Sequence, residues 1–397
     1  MSGVRTQRRF AQRQFRERRR RARRQAMVVV ASAVVAVGTA AGVISAVAGE
    51  GERATARPGT TASPTVAPLP AVPSATATPD RPASSAPAAP QPPRPRAPAP
   101  PRASRSAAVP SGGRLYRHPG SQVLDWVAGH RSDPRRPLIE ARIAARPAAV
   151  RFAAHNPGAI TGQVRSVTAA AAGAGRTPVL VPYAIPDRDC GGASQGGAPD
   201  LGAYDAWMRQ FAAGLGDGPV IVILEPDAIA LSDCLPAGER AARNASLARA
   251  DRVLHAANPR ARVYFDGGHS GWHPASEQAA ALRAAGAADS GDGIFTNVSN
   301  FHRTADEADY ARRVLAALGG PARLGAVIDT SRNGNGAPKA GQRCDPEGRA
   351  LGTAPTTDTG QARIDAYLWV KLPGESDGCK GAAGSFSPDY AYRLATG

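Results

Sequence analysis

Residues 219–227 read Pro219-Val220-Ile221-Val222-Ile223-Leu224-Glu225-Pro226-Asp227. Four β-branched residues and a leucine run together without a polar interruption, and a proline then stops them. Such a run fits a strand covered on both faces, as in a parallel sheet, because a half-exposed strand would alternate. The strand, over 219–225, stops on acidic residues. Six further runs share this character: 148–152 (AAVRF), 178–184 (PVLVPYA), 261–266 (ARVYFD), 292–297 (DGIFTN), 324–329 (LGAVID) and 364–370 (IDAYLWV). Helical stretches lie between them. Residues 236–257 begin with Pro236, suited to a first helical turn, and place Leu247, Ala250, Val253 and Leu254 on one face. Residues 304–318 open with Thr304 and Glu307, a capping-box spacing, and reach Gly319-Gly320. Strand starts recur at intervals of about 30 to 40 residues, near the unit of a β/α barrel. The expected fold is α/β, a parallel β/α barrel with seven visible strands; a doubly wound open sheet is the alternative. No Gly-rich phosphate loop follows any strand.

Outward from this core, charge and composition divide the chain. Its 397 residues hold 49 Lys+Arg against 32 Asp+Glu, a net charge of +17. Residues 1–26 carry +10, residues 27–49 nothing and residues 50–112 +4, which leaves +3 for residues 113–397. A nucleic-acid binder needs its basic charge on the folded part, so that class is disfavoured. The apolar run 27–49 follows an Arg-rich block, Arg18–Arg21 with Arg23 and Arg24, that should stay cytoplasmic. It reads as a transmembrane anchor or as a signal peptide, with Ala46-Val47-Ala48 resembling a cleavage site. Either way the rest is exported, and the expected location is extracellular, secreted or held at the membrane. Residues 50–112 contain 16 of the 36 prolines among Ala, Ser and Thr. That composition cannot offset ordering entropy and reads as an extended linker. Residues 113–397 suffice for one large domain.

The strand ends carry the chemistry. After the second run come Asp187, Arg188, Asp189 and Cys190. The third ends in Glu225-Pro226-Asp227, the fourth in Asp266 before Gly267-Gly268-His269, and the fifth in Asn297 before Ser299 and Asn300. The sixth ends in Asp329 and the seventh runs into Lys371, Glu375 and Asp377. In a parallel barrel these ends share one side, where active sites are built. Carboxylates crowded there raise one another's pKa. A single Asp after a strand is more often a turn former or cap; Asp329 keeps that reading, and Glu225 is expected to be the buried partner of a nearby Arg or His. His269 and His273 stand four apart without an H-E-x-x-H context, and the four cysteines show no C-x-x-C spacing, so no metal is expected. No serine sits in a nucleophile elbow. What remains is carboxylate chemistry without a cofactor, and for an exported enzyme the expected class is a glycosidase.

Six ordered blocks resemble glycoside hydrolase family 6, the cellulases comprising endoglucanases and cellobiohydrolases. They are Val181–Gly191, Val222–Ile229, Asp266–Trp272, Asn297–Phe301, Asp329–Gly334 and Trp369–Gly378. The resemblance implies a distorted barrel of seven parallel strands, and inverting hydrolysis of β-1,4-glucan by an endoglucanase-like enzyme. It implies Asp227 as general acid, Asp189 as its helper, and Asp377 as base, or as electrostatic stabiliser if water is activated through a relay. It implies substrate contacts from Tyr183, Asp266, His269, Trp272, Asn300, Lys371 and Glu375, and disulfides Cys190–Cys234 and Cys344–Cys379. The implied partner is a β-1,4-glucan polysaccharide or oligosaccharide, and the expected state is a monomer.

The sequence also departs from the family. Arg343 stands where a tryptophan usually precedes the third cysteine, and Arg151-Phe152 occupy the place of another sugar-stacking tryptophan. Gln195 and Gly267 replace a small residue and an alanine. Weaker stacking on the non-reducing side argues against crystalline cellulose as preferred substrate. No large insertion is visible, particularly around Asp345–Thr359, which points to an open cleft that cuts internally. A cellobiohydrolase, or a non-catalytic glucan binder on the same scaffold, is the alternative.

Overall fold

The computed structural model describes residues 114–397. The expected basic segment, apolar run and linker lie outside the described residues. Seven strands form where the apolar runs predict them: β1 (Val150–Phe152), β2 (Val179–Pro182), β3 (Val220–Ile223), β4 (Ala261–Asp266), β5 (Gly293–Thr296), β6 (Gly325–Asp329) and β7 (Ile364–Leu368). Every neighbouring pair is parallel and the order is strictly sequential, β1 to β7. A doubly wound sheet reverses its order at a switch point, so that alternative is excluded. The helices are α1 (Gln122–Gly129), α2 (Arg136–Ile139), α3 (Ile160–Gly173), α4 (Leu201–Ala213), α5 (Ala237–Ala257), α6 (Ala275–Ala284), α7 (Thr304–Leu318) and α8 (Pro388–Thr396). Among the described residues no helix is long and apolar enough to cross a membrane.

The absence of alternation now has its cause. Val179, Val181, Tyr183, Ile221, Ile223, Tyr264, Phe295, Val327 and Leu368 point into the barrel and fill it. Their neighbours Leu180, Val222, Val263, Phe265, Ile294, Ala326 and Ile328 pack outward with the helices. Each strand therefore buries both of its faces. No ladder joins β7 to β1 among the described residues. One backbone bond, Ala149 N to Trp369 O at 2.9 Å, crosses that seam. It is plugged by Val123 and Val127 of α1, Ile139 and Ile143 of the α2 region, Trp369, and Ala391 and Ala395 of α8.

Two local expectations need correction. Pro236 is the extended residue before α5, with ψ 151, and not part of its first turn. The capping box of α7 does not form. Its N-cap is Arg303 and bears no side-chain cap bond, so the spacing from Thr304 starts one residue late. Glu307 instead is buried and accepts the Ser270 N–H at 2.8 Å.

The β5–β6 pair tests the packing. Gly293 faces Gly325 in register, and a Cβ on Gly293 would sit 1.9 Å from the Gly325 carbonyl oxygen. Because backbone, and not a flexible side chain, blocks it, Gly293→Ala should destabilise by about 3 kcal/mol. A urea midpoint equal to that of the parent would contradict this register.

Candidate active site

The loops above the strands adopt conformations that few side chains accept. Positive φ occurs at Asp187 (51°), Asp189 (58°) and Cys190 (47°) after β2, at Glu225 (48°) and Asp227 (69°) after β3, and at Asn297 (66°) and Ser299 (59°) after β5. Asp and Asn tolerate this region best after glycine, and such strain gathers where function over-determines the backbone.

Three strand-end acids hold these loops. Glu225 accepts the N–H groups of Ala184 (3.0 Å) and Ile185 (3.1 Å) beyond β2. Asp266 accepts those of Ile229 (3.1 Å), Ala230 (2.8 Å) and Gly268 (3.0 Å). Asp329 accepts those of Ser299, Ser331, Val370 and Lys371. The structural reading of Asp329 fits this geometry. The expectation for Glu225 is corrected: among the described residues it forms no ion pair with Arg or His, because orphan N–H groups of the neighbouring strand end reach it first. Burial pushes its carboxyl up to about 7 against these hydrogen bonds.

Asp227 differs from all three. Its side chain has no hydrogen bond or ion pair among the described residues. Burial, followed by the nearby charges of Asp266 and Asp189, pushes it up to about 8; Arg151 and Lys371 oppose the shift. Asp189, helped by Gly192, closes its own loop by accepting the Ser194 N–H at 2.7 Å. A Cβ on Gly192 would meet the Asp189 carboxylate at 2.3 Å.

Asp377 is the opposite case. Arg332 donates to both of its oxygens at 2.9 Å and Lys371 Nζ to one at 2.6 Å. Burial would raise it, but the Arg332 and Lys371 charges prevail and hold it at about 2. Its loop is pinned by Asp345, which accepts the N–H groups of Asp377 (2.7 Å), Cys379 (3.0 Å) and Lys380 (2.8 Å). Asp227 is thus biased toward its neutral form and Asp377 toward its ionised form, an arrangement that supports acid catalysis beside a fixed negative charge.

The walls are mixed. Tyr183 is buried, with the Arg188 guanidinium 4.6 Å from its ring centroid and that of Arg151 at 5.9 Å. Arg188 also donates to the Tyr183, Ala153 and Ser194 carbonyls. Arg151 pairs with Glu375 at 2.5 Å, and Lys371 lies 3.8 Å from the same carboxylate. His269 stacks on His302 at 4.3 Å and lies 5.2 Å from Trp272. Burial keeps the His269 ring neutral, lowered to about 3. Asn300 lies half-buried in the loop after β5 and donates to the Val298 carbonyl at 3.0 Å. Disulfides Cys190–Cys234 and Cys344–Cys379 tie the β2 loop to the β3 loop and the β6 loop to the β7 loop, the pairing that the resemblance implies.

The family model for glycosyl hydrolases family 6 matches residues 116–395. The chain belongs to glycoside hydrolase family 6. Endoglucanase 1 of Streptomyces sp. (strain KSM-9) is 54% identical over 293 residues, 74% of this chain and 80% of that protein. Endoglucanase A of Thermobispora bispora is 50% identical over 282 residues, 71% of this chain and 61% of that one. The solved structure of the endoglucanase Cel6 from Mycobacterium tuberculosis, in complex with methyl-cellobiosyl-4-deoxy-4-thio-β-D-cellobioside, superposes with a TM-score of 0.67 at 39% identity. It covers 72% of this chain and 97% of that chain. The curled seven-strand sheet is thus the α/β fold of family 6, and the chain is a glycoside hydrolase.

Sequence reading alone assigned no role to three residues of this family-6 site: Arg332, Asp345 and Arg188. Arg332 and Arg188 stand beside strand-end acids, a position that signals them. Asp345 precedes Pro346 in a loop and gives no such signal. The titration of Asp227 yields a stability prediction. In the unfolded chain it ionises near its ordinary value of 3.8, in the fold near about 8. The parent therefore loses stability as pH rises from 3.8 to about 8, since only the unfolded state gains from ionisation. Asp227→Asn should melt progressively higher than the parent across that window, with the gap constant above it. A gap independent of pH would refute the raised pKa.

Proposed function

We propose that the chain hydrolyses internal β-1,4-glucosidic bonds of a soluble cellulose-type β-glucan with inversion. The observation that carries this reading is Asp227, without a hydrogen-bond partner among the described residues and with its carboxyl pushed up by burial, set against Asp377, paired with both Arg332 and Lys371. Asp227 donates its proton to the glycosidic oxygen as the bond from that oxygen to C1 breaks. Positive charge develops on the sugar and is met by Asp189 and by ionised Asp377. Water attacks C1 from the opposite face, so a β-linked substrate yields an α-hemiacetal. Arg332 and Lys371 leave Asp377 little proton affinity; it acts through its charge, and the attacking water passes its proton through further water molecules to bulk solvent as its oxygen bonds to C1.

Tyr183 presses on the distorted sugar beside the scissile bond, and Trp272 offers a stacking face on the leaving-group side. His269, Asn300, Lys371 and Glu375 contact sugar hydroxyls, and Asp266 sets the field at Asp227. The Arg151–Glu375 pair presents a polar wall where a stacking tryptophan would stand, which favours soluble chains over crystalline cellulose. Internal cutting is supported by the two relatives named endoglucanases. The disulfides fit an oxidising compartment, in keeping with export through the segment 27–49 as anchor or signal and with residues 113–397 as the catalytic domain. The chain acts as a monomer on its glucan.

Asp227→Ala should lower kcat/KM on soluble β-glucan by about 10²–10⁴-fold and leave cello-oligosaccharide binding largely intact. Aryl cellobiosides with acidic leaving groups should lose far less, because they need no proton. NMR of the first product should show the α-anomer. A β-anomer appearing first, or a parent enzyme that releases no reducing sugar across about pH 4 to 8, would overturn the proposal; the second result would favour a glucan binder.

A further inference from the structure

Three side chains on different elements converge behind the loop that follows Asp227. Asp233 lies in the short turn Ser232–Cys234, His273 just ahead of α6, and Glu277 in the first turn of α6. One ligand atom of each lies within 4.8 Å of the other two. With Ile229, Arg240 and Gln278 they line a cavity of about 230 Å³.

The histidine is set in advance. Its Nε2 is 2.8 Å from the Ala230 carbonyl oxygen. A carbonyl only accepts, so Nε2 carries a hydrogen, and in the neutral ring Nδ1 then holds the lone pair. Nδ1 lies 3.7 Å from a Glu277 oxygen, too far for a hydrogen bond. An imidazole that donates one N–H to a backbone carbonyl and presents the other nitrogen is the arrangement of a metal-ligating histidine. Ala230 is itself fixed by the bond from its N–H to Asp266 at 2.8 Å. The imidazole also stacks on Trp272, with centroids 5.9 Å apart and planes at 15°.

We propose that Asp233, His273 and Glu277 bind one divalent transition-metal ion, with zinc the best match. One nitrogen, two carboxylate oxygens and a water complete a tetrahedral set with bonds of about 2.0–2.2 Å. Ligand atoms around such an ion stand roughly 3.4 Å apart, so the triad must contract. The carboxylates allow that, because the Asp233 and Glu277 side chains are 73% and 51% exposed and free to rotate. Asp233 now pairs with Arg240 at 3.1 Å, an exposed pair of small worth that an ion displaces. Calcium and magnesium prefer larger, all-oxygen shells. The sequence expectation of no metal rested on the spacing of His and Cys; here one ligand lies 40 residues before another, and only the fold unites them. A bound ion ties the β3 loop to α6. This inference does not depend on the glucanase reading, since binding is measured on the protein alone.

The test is calorimetric titration of zinc chloride into the full chain, carrying no histidine tag and freed of metal with EDTA. One ion should bind per chain, raise the melting temperature and be removed by EDTA. Asp233→Asn and Glu277→Gln change exposed positions and should fold. Each, like His273→Ala, should weaken binding by about 10–100-fold or more, while magnesium gives no heat. A parent that binds no zinc, or variants that titrate like the parent, would overturn the site.

Discussion

Every parallel strand that stops at the barrel mouth leaves backbone N–H groups without a ladder partner, and the loops beyond must satisfy them in a place nearly free of water. Carboxylates at the strand ends do this. Glu225 serves the end of β2, Asp266 the loop after β3, and Asp329 the loops after β5 and β7. Each reaches sideways to a neighbour in the sheet, so the acids lock adjacent loops to one another. This constraint explains why acids crowd a face that electrostatics alone would keep apart. It also separates the acids that hold loops from Asp227. The first have their oxygens taken by backbone; Asp227 does not.

Two cations complete the balance. Arg332 and Lys371 hold Asp377 toward its ionised form even though it is largely buried, and the charge of Lys371 is also felt at Asp227. Asp227 is pushed toward its neutral form because burial and the charges of Asp266 and Asp189 outweigh the opposing field of Arg151 and Lys371. The two aspartates are therefore driven in opposite directions by their different neighbours. The disulfides and Asp345 keep the neighbours in place, since loops carrying this much positive φ would otherwise relax.

The strands were legible because burial on both faces writes itself as uninterrupted β-branched runs, and the long helices because their apolar faces repeat. The strand-end acids were legible for the same reason: the runs stop where they begin. Partners were not. Arg332 and Asp377 are 45 residues apart in the chain, and nothing local to either announces the other. Glu225 was assigned to a cation because charge suggests a countercharge; the nearer need of two orphan N–H groups decided otherwise. Glu307 showed a capping spacing, but the helix begins its cap at Arg303, and the side chain serves the loop of Ser270.

The seam between β1 and β7 has a consequence for biosynthesis. The plug draws on α1, made before the first strand, and on α8, made long after it: Phe152 ends β1 and Pro388 begins α8. At about 5–20 residues per second, the ribosome takes on the order of 10–50 s to supply the missing wall. During that interval the seam beside β1 lacks Ala391 and Ala395, the share of the plug that α8 supplies.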